Sequence, residues 1–481
     1  MAARRFAIIG AGPAGVAAAH DLARRGLPSA VFEQDGQVGG LSRTVVRGGF
    51  RFDVGGHRFF TRNAQVEALW RDVLGEDLLR RPRLSRILYR GKLYAYPLRA
   101  ANVLRNLGPL ASAGVLASFA KRRLLPRRPE ASFADWVANR FGDRLFSMFF
   151  RAYTEKVWGT PCEAISADWA AQRIRALSLG RAALDALGLR RGRRAASLIE
   201  EFDYPRLGAG QMYETMMRRA EGMGATLHLR HEVVEVLHDG RAVTHLRVCH
   251  AGQSALVPAD GVISSMPLTE LVLRLRPPAP DAVLAAARSL RHRAILVANL
   301  LVRARDVLPD TWVYLHSPEI RAGRLQLPAN WSPHLVPDGE MSSLSLEYFA
   351  WEGDELWSRP DAELLEMARA DLRALGRAAP RRVEDGFVVR CPRAYPVYDA
   401  GYRAKVRAIR EHLEGLANLV CAGRYGQFRY NNMDHSILTG LLAVRRLLGE
   451  RVDPWSVNEE AEYHEPQGPP GAGGAVRTGS R

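Results

Sequence analysis

The sequence predicts an α/β fold in three parts, and three observations predict it. The first 33 residues read strand, glycine turn, helix, strand. Residues 64–200 carry a mostly helical pattern, broken at Pro126, Pro129 and Pro161. Apolar and polar residues then alternate in sheet fashion along Ala225–Pro267 and along 290–350, before a last strand feeds a last helix.

Taken in order, Phe6 to Ile9 is a short apolar strand, Ala14 to Arg25 a helix and Ser29 to Glu33 a second strand. Basic residues precede Phe6, as in a signal peptide, but a glycine motif follows Ile9 at once, so the stretch reads as a strand. Asp239-Gly240 marks a hairpin. His292 to Val302 and Ser343 to Phe349 read as strands, and residues 361–375 as a helix. Asn418 to Ala422 is the last strand, and Asp434 to Leu448 the last helix, with Asp434 as its cap. Beyond Asn458 the chain is polar and rich in Gly and Pro, the composition of a disordered tail over 458–481.

At 481 residues the chain has room for two or three domains with a large core. Its net charge of +17 is almost all arginine, since only four residues are lysine. Such a surplus suits nucleic acid, a membrane surface or an anionic small molecule. No DNA- or RNA-recognition module accompanies it, which argues against nucleic acid. Pro109 to Ala120 is apolar but too short to span a bilayer. A buried helix is the expectation there. The alternative, given Lys121-Arg122-Arg123 behind it, is peripheral contact with a membrane. Cys162, Cys249, Cys391 and Cys421 have no metal-ligand spacing and read as reduced thiols of a cytoplasmic protein.

The chemistry begins at Gly10-Ala-Gly12-Pro-Ala-Gly15, which follows a strand and opens a helix. Gly10 permits the tight turn, Gly12 lets backbone approach a pyrophosphate, and Gly15 lets helix pack on strand. The helix N-terminus offers unpaired N–H groups to phosphate. Glu33, at the end of the second strand, is placed to accept hydrogen bonds from a ribose and disfavours a 2′-phosphate. This is a Rossmann-type nucleotide site.

Soon after Glu33 comes Gly39-Gly40-Leu-Ser-Arg43-Thr44. Here the chain resembles the large FAD family of amine oxidases, protoporphyrinogen oxidases, phytoene desaturases and UDP-galactopyranose mutases. The resemblance implies FAD, with Gly39, Gly40 and Arg43 at its pyrophosphate. It also implies a discontinuous FAD-binding domain (1–80, 201–290 and 386–457), a helical substrate domain (81–200) and an antiparallel sheet domain (291–385).

Further segments look like the sugar mutase branch. Phe52-Asp53-Val54-Gly55-Gly56-His57 is similar to the mutases' loop beside the flavin ring, and Arg90-Gly-Lys-Leu-Tyr94-Ala-Tyr96-Pro97 to a basic-aromatic run. Phe149-Arg-Ala-Tyr153-Thr-Glu-Lys156-Val-Trp158 and Trp169-Ala-Ala-Gln-Arg173 match helical signatures of their substrate domain. Trp312-Val-Tyr314 and Asn330-Trp-Ser-Pro333 resemble their middle sheet. Gly423-Arg424 through Tyr430, Asn432, Met433, Asp434, His435 and Ser436 resembles their last FAD-contacting turn.

The resemblance implies a flavin-dependent nucleotide-sugar mutase, an isomerase interconverting pyranose and furanose rings through an adduct between reduced flavin N5 and the sugar. Arg173 and Arg324 would clamp the diphosphate, with Arg424 facing flavin or diphosphate and His57 beside the ring. Tyr314, Tyr395, Tyr430 and Asn330 would bind substrate. Gly55, Gly56, Gly423, Met433 and Asp434 would contact FAD. NAD(P)H would serve as a transient reductant. Arginine suits a diphosphate because its planar fork donates in pairs. Outside these motifs each such arginine would be an ordinary surface ion pair. The rival is an FAD-dependent oxidoreductase of the desaturase or amine oxidase type. Tyr204-Pro-Arg-Leu-Gly208-Ala-Gly210 favours it, being closer to oxidases than to the mutases' glycine-rich loop.

Overall fold

The computed structural model describes residues 4–96, 98–165, 167, 201–337, 339–373, 375–376, 382–399 and 401–458. Arg173 and the tail beyond Asn458 lie outside them.

The nucleotide unit forms as expected. Strand Phe6–Ile9 is wholly buried, and Pro13 starts the helix Pro13–Arg24 at a position where its missing N–H costs nothing. A five-stranded parallel sheet runs Leu419–Cys421, Gly261–Ser264, Phe6–Ile9, Ser29–Glu33, Thr226–Leu229. Its strands come from three distant stretches of chain. Helix Met433–Leu447 lies along Pro13–Arg24, and a Cβ on Gly440 would collide with the Ala14 carbonyl. Apolar residues of both helices and of Gly210–Gly222 share one core.

A seven-stranded sheet forms the second layer. Its order is Val383–Pro396, His292–Val302, Ser342–Ala350, Arg324–Gln326, Trp312–Leu315, Ser85–Tyr89, Lys92–Ala95. All neighbours are antiparallel except Trp312–Leu315 beside Ser85–Tyr89. Within 64–165 the expected helices form, at Ala64–Leu74, Ala100–Leu107, Pro109–Leu124, Phe133–Phe141 and Ala152–Trp158, but the helical reading is corrected over 78–95. Leu78–Pro82, Ser85–Tyr89 and Lys92–Ala95 are strands, because their long apolar side chains pair across sheets rather than along one helix face.

A second expectation fails in the helical layer. Helix Pro109–Leu124 is not a buried helix, since it buries only Ser112 and Val115. Its apolar residues face outward, with Leu110 89% exposed. Among the described residues no helix is long and apolar enough to cross a membrane.

Candidate active site

Glycine geometry shapes the first half of the site. Gly10 has φ +93°, and a Cβ there would sit 2.5 Å from Ser265 Oγ. A Cβ on Gly40, also at positive φ, would sit 3.2 Å from Gly12 Cα, so the two glycine turns face each other across bare backbone. Glu33 ties this turn down. Its Oε2 accepts the Ala11 N–H at 2.6 Å and its Oε1 the Asp35 N–H at 2.9 Å. Burial raises its pKa, against the pull of those amides. Arg43 folds back to donate to the Gly40 carbonyl at 2.9 Å.

At the head of the last helix the cap is Asn432, not Asp434 as the sequence suggested. The Asn432 N–H donates to His435 Nδ1 at 3.4 Å, a structural bond for that histidine. Asp434 sits inside the first turn, 5% exposed, and burial raises its pKa. Its Oδ1 has no hydrogen-bond partner among the described residues. A slot walled by bare glycine backbone, a helix N-terminus and an orphaned buried carboxylate oxygen fit a dinucleotide that brings its own phosphates and hydroxyls. FAD fits these residues.

The second half is built on the sheet. Register aligns Ile87, Tyr314, Arg324, Glu347 and Val297 in one row across five strands, so their side chains share a face. Arg324 and Glu347 form an ion pair at 2.5 Å, and Arg324 also donates to the Tyr395 hydroxyl at 2.8 Å. Gln326 Nε2 donates to the other Glu347 oxygen. Burial works most strongly against the Arg324 charge, but the Glu347 carboxylate together with Tyr395, Tyr153 and Tyr430 outweighs it and holds the guanidinium well above its ordinary pKa.

Tyr395 and Tyr430 stack at 5.6 Å, and the Arg424 guanidinium lies over both rings, at 4.9 and 4.2 Å. Arg424 donates to the Ala394 carbonyl from Nε at 3.0 Å and from a terminal nitrogen at 2.7 Å, and to the Asn431 carbonyl at 3.3 Å. It has no carboxylate partner among the described residues, and two of its five N–H groups remain available. His57 lies at the edge of this group. Its Nδ1 is 2.9 Å from the Gly55 carbonyl, and burial, with Arg424 and Arg324 nearby, pushes its pKa down to about 4. A Cβ on Gly55 would sit 3.8 Å from Glu347 Oε1, so the glycine loop rests against the row.

The structure thus brings together His57, Arg324, Arg424, Tyr395 and Tyr430, with Tyr314 beside Arg324. Asn330 is not among them. Its amide donates to the carbonyls of Leu308 and Asp310, at 2.7 and 2.6 Å, and so fastens a loop. Glu347 escaped the sequence reading, and Tyr153 entered it only within a motif, with no role at the site. Glu347 is fully buried, in a strand where Ser343, Ser345 and Glu347 alternate with Leu344, Leu346 and Tyr348, and a carboxylate in such a strand was the available signal. Tyr153 stacks on His316 at 4.6 Å and meets Tyr314 edge-on at 5.6 Å.

A family model for flavin containing amine oxidoreductases matches residues 13–448. The chain belongs to that family. This amine oxidoreductase relative is accordingly an FAD-dependent enzyme. It is 25% identical over 457 residues to a coproporphyrinogen III oxidase of Mycobacterium leprae (strain TN), covering 89% of this chain and 98% of the other. A shorter match, 40% identical over 73 residues, is to protoporphyrinogen oxidase 2 of Arabidopsis thaliana. It spans 15% of this chain and 14% of that protein. A crystal structure of reduced UDP-galactopyranose mutase superposes with a TM-score of 0.80 at 22% identity, over 93% of this chain and 94% of the other. The family member and that mutase share a fold.

Proposed function

We propose that this flavoenzyme is a nucleotide-sugar mutase, interconverting pyranose and furanose rings. One observation carries the reading: the group around Arg424 offers an anion several free donors in place of an aliphatic tunnel. Among the described residues Arg424 is a cation without a carboxylate, held by carbonyls and by two stacked tyrosines. Arg324 keeps its Nε unpaired, although one terminal nitrogen is engaged by Glu347 and Tyr395. Such a set suits a diphosphate, which accepts several charge-assisted bonds at once. The Tyr395 and Tyr430 rings would add phenolic donors and a flat wall for a sugar.

Bound FAD would supply a ring able to accept a hydride or, once reduced by a donor such as NAD(P)H, to act as a nucleophile toward carbon. The protein's part is to hold the diphosphate as it leaves and returns, to orient the sugar and to exclude water. Neutral His57 fits the last two tasks, since a charged imidazole beside Arg324 and Arg424 is disfavoured.

A second reading, an FAD-dependent oxidoreductase, is supported by the near full-length match to a coproporphyrinogen III oxidase. One experiment separates them. The dithionite-reduced holoprotein is incubated with UDP-, GDP- and dTDP-hexoses, and the products are resolved by chromatography and mass. A shifted peak of unchanged mass supports the mutase. No such product, together with peroxide release from a porphyrinogen or an amine in air, overturns it.

A further inference from the structure

The solvent side of helix Pro109–Leu124 has an inverted pattern. Its exposed apolar positions include Leu110, Ala113, Leu116, Ala117, Ala120 and Leu124, one continuous stripe, with Lys121 and Arg123 exposed at its C-terminal end. Leu124 is 81% exposed. Of ten large apolar side chains exposed among the described residues, five fall between Leu104 and Leu125, so the surplus is concentrated and not scattered. Along the stretch of chain that carries the stripe the charge has one sign. From Leu78 to Pro129 the chain carries thirteen basic residues and no acidic one. Arg105, Lys121 and Arg123 are exposed and form no ion pair among the described residues, whereas Arg122 and Arg127 are held by Asp143. A cavity of about 590 Å³ opens beside the stripe, touching Leu107 and Ala111 and lined by three cations, Arg90, Lys92 and Arg144, against one acid, Asp143.

We propose that helices Ala100–Leu107 and Pro109–Leu124 dock this enzyme on an anionic phospholipid bilayer. The leucines enter the interface while the flanking cations, and those of the cavity, meet headgroup phosphates. Charge selects this occupant over a second copy of the chain. Two such faces brought together would set like-charged rims against each other, whereas a lipid surface supplies both an apolar layer and negative charge. The proposal is independent of the substrate.

The test is flotation of the full-length, FAD-loaded protein with vesicles of phosphatidylcholine alone or mixed with phosphatidylglycerol. Binding is expected only with phosphatidylglycerol present, and should weaken with added salt. L110D/L124D is expected to lower the partition coefficient by about tenfold or more, with flavin absorbance and melting temperature unchanged. K121E/R123E should lower it similarly, and R218E/R288E, on another face, should leave it within about twofold. Four results would each overturn the proposal. These are absence of flotation, equal flotation on phosphatidylcholine alone, equal losses from the two charge-reversal pairs, and a dimer in light scattering that L110D/L124D dissociates.

Discussion

Arg324 and Glu347 stand opposite each other on neighbouring antiparallel strands, and their side chains close to 2.5 Å on the face that carries the site. The pair does two things at once. It lets a carboxylate lie at zero exposure in a sheet, and it aims a guanidinium at Tyr395. Removing one partner from a buried pair leaves the other uncompensated. E347A is therefore expected to destabilise the protein by about 3 kcal/mol in urea unfolding, and E347Q by clearly less. If E347A behaves like a surface variant such as E363A, the pair is not a buried one.

At Gly12 a Cβ meets only Gly40 Cα, 4.0 Å away, and φ is −74°, so alanine is tolerated by the protein itself. The added methyl would instead fill the slot between the glycine turns. G12A should melt like the wild-type apoprotein yet lose flavin binding by at least about tenfold, read from flavin absorbance after dialysis. Unchanged flavin content would move the phosphates elsewhere.

Arg424 contributes free charge-assisted donors, each worth roughly 1.5–3 kcal/mol to an anion. With the nucleotide sugar that is turned over, R424M should raise KM by about tenfold or more while the purified protein stays yellow. The same outcome is expected for R173A from the resemblance of its motif. Equal KM values in steady-state assays would remove these arginines from substrate binding.

Asp53 is a buried hub. It accepts from the hydroxyls of Thr44 and Tyr204, both at 2.6 Å, and from the Ala209 N–H, joining strand Phe50–Asp53 to the start of helix Gly210–Gly222. Burial lifts its carboxyl to about 6. Between pH 4 and 6 the folded chain keeps a proton that the unfolded chain releases, so this group's stabilisation is full at low pH and falls as pH rises. Melting curves across that range should show wild type losing ground relative to D53N. A pH-independent difference would place the carboxyl at its ordinary value.

His57 has the opposite sign. Its folded pKa of about 4 lies below the usual 6.5, so its contribution is intact above pH 6.5 and lost as pH falls toward 4. Nitrogen NMR of the labelled imidazole should show a neutral ring at pH 6. A ring already half protonated there would contradict the neutral imidazole.

Local pattern was enough to read the nucleotide turn, because strand, glycines, helix and Glu33 lie within one short stretch and act through backbone geometry. The strands His292–Val302 and Ser342–Ala350 were legible within a residue, from period-two alternation. What escaped depends on register. Glu347 matters because Arg324 faces it across two strands, and nothing in either stretch alone says so. Asn330 was read from its motif, but its amide serves the carbonyls of its own loop. Asn432 took the cap expected of Asp434 because its backbone is extended where the helix begins. The outward leucines of Pro109–Leu124 were misread since apolar composition implies burial only statistically.

The parallel sheet draws on Phe6–Glu33, on Thr226–Ser264 and finally on Leu419–Cys421. During synthesis the glycine turn therefore emerges hundreds of residues before the strand that borders it and the helix that brings Asp434. The parallel sheet cannot be completed until Leu419–Cys421 has left the ribosome. A nascent chain halted before Leu419 would hold the phosphate turn without its far wall. Closing the sheet thus joins a segment made early in synthesis to one made hundreds of residues later.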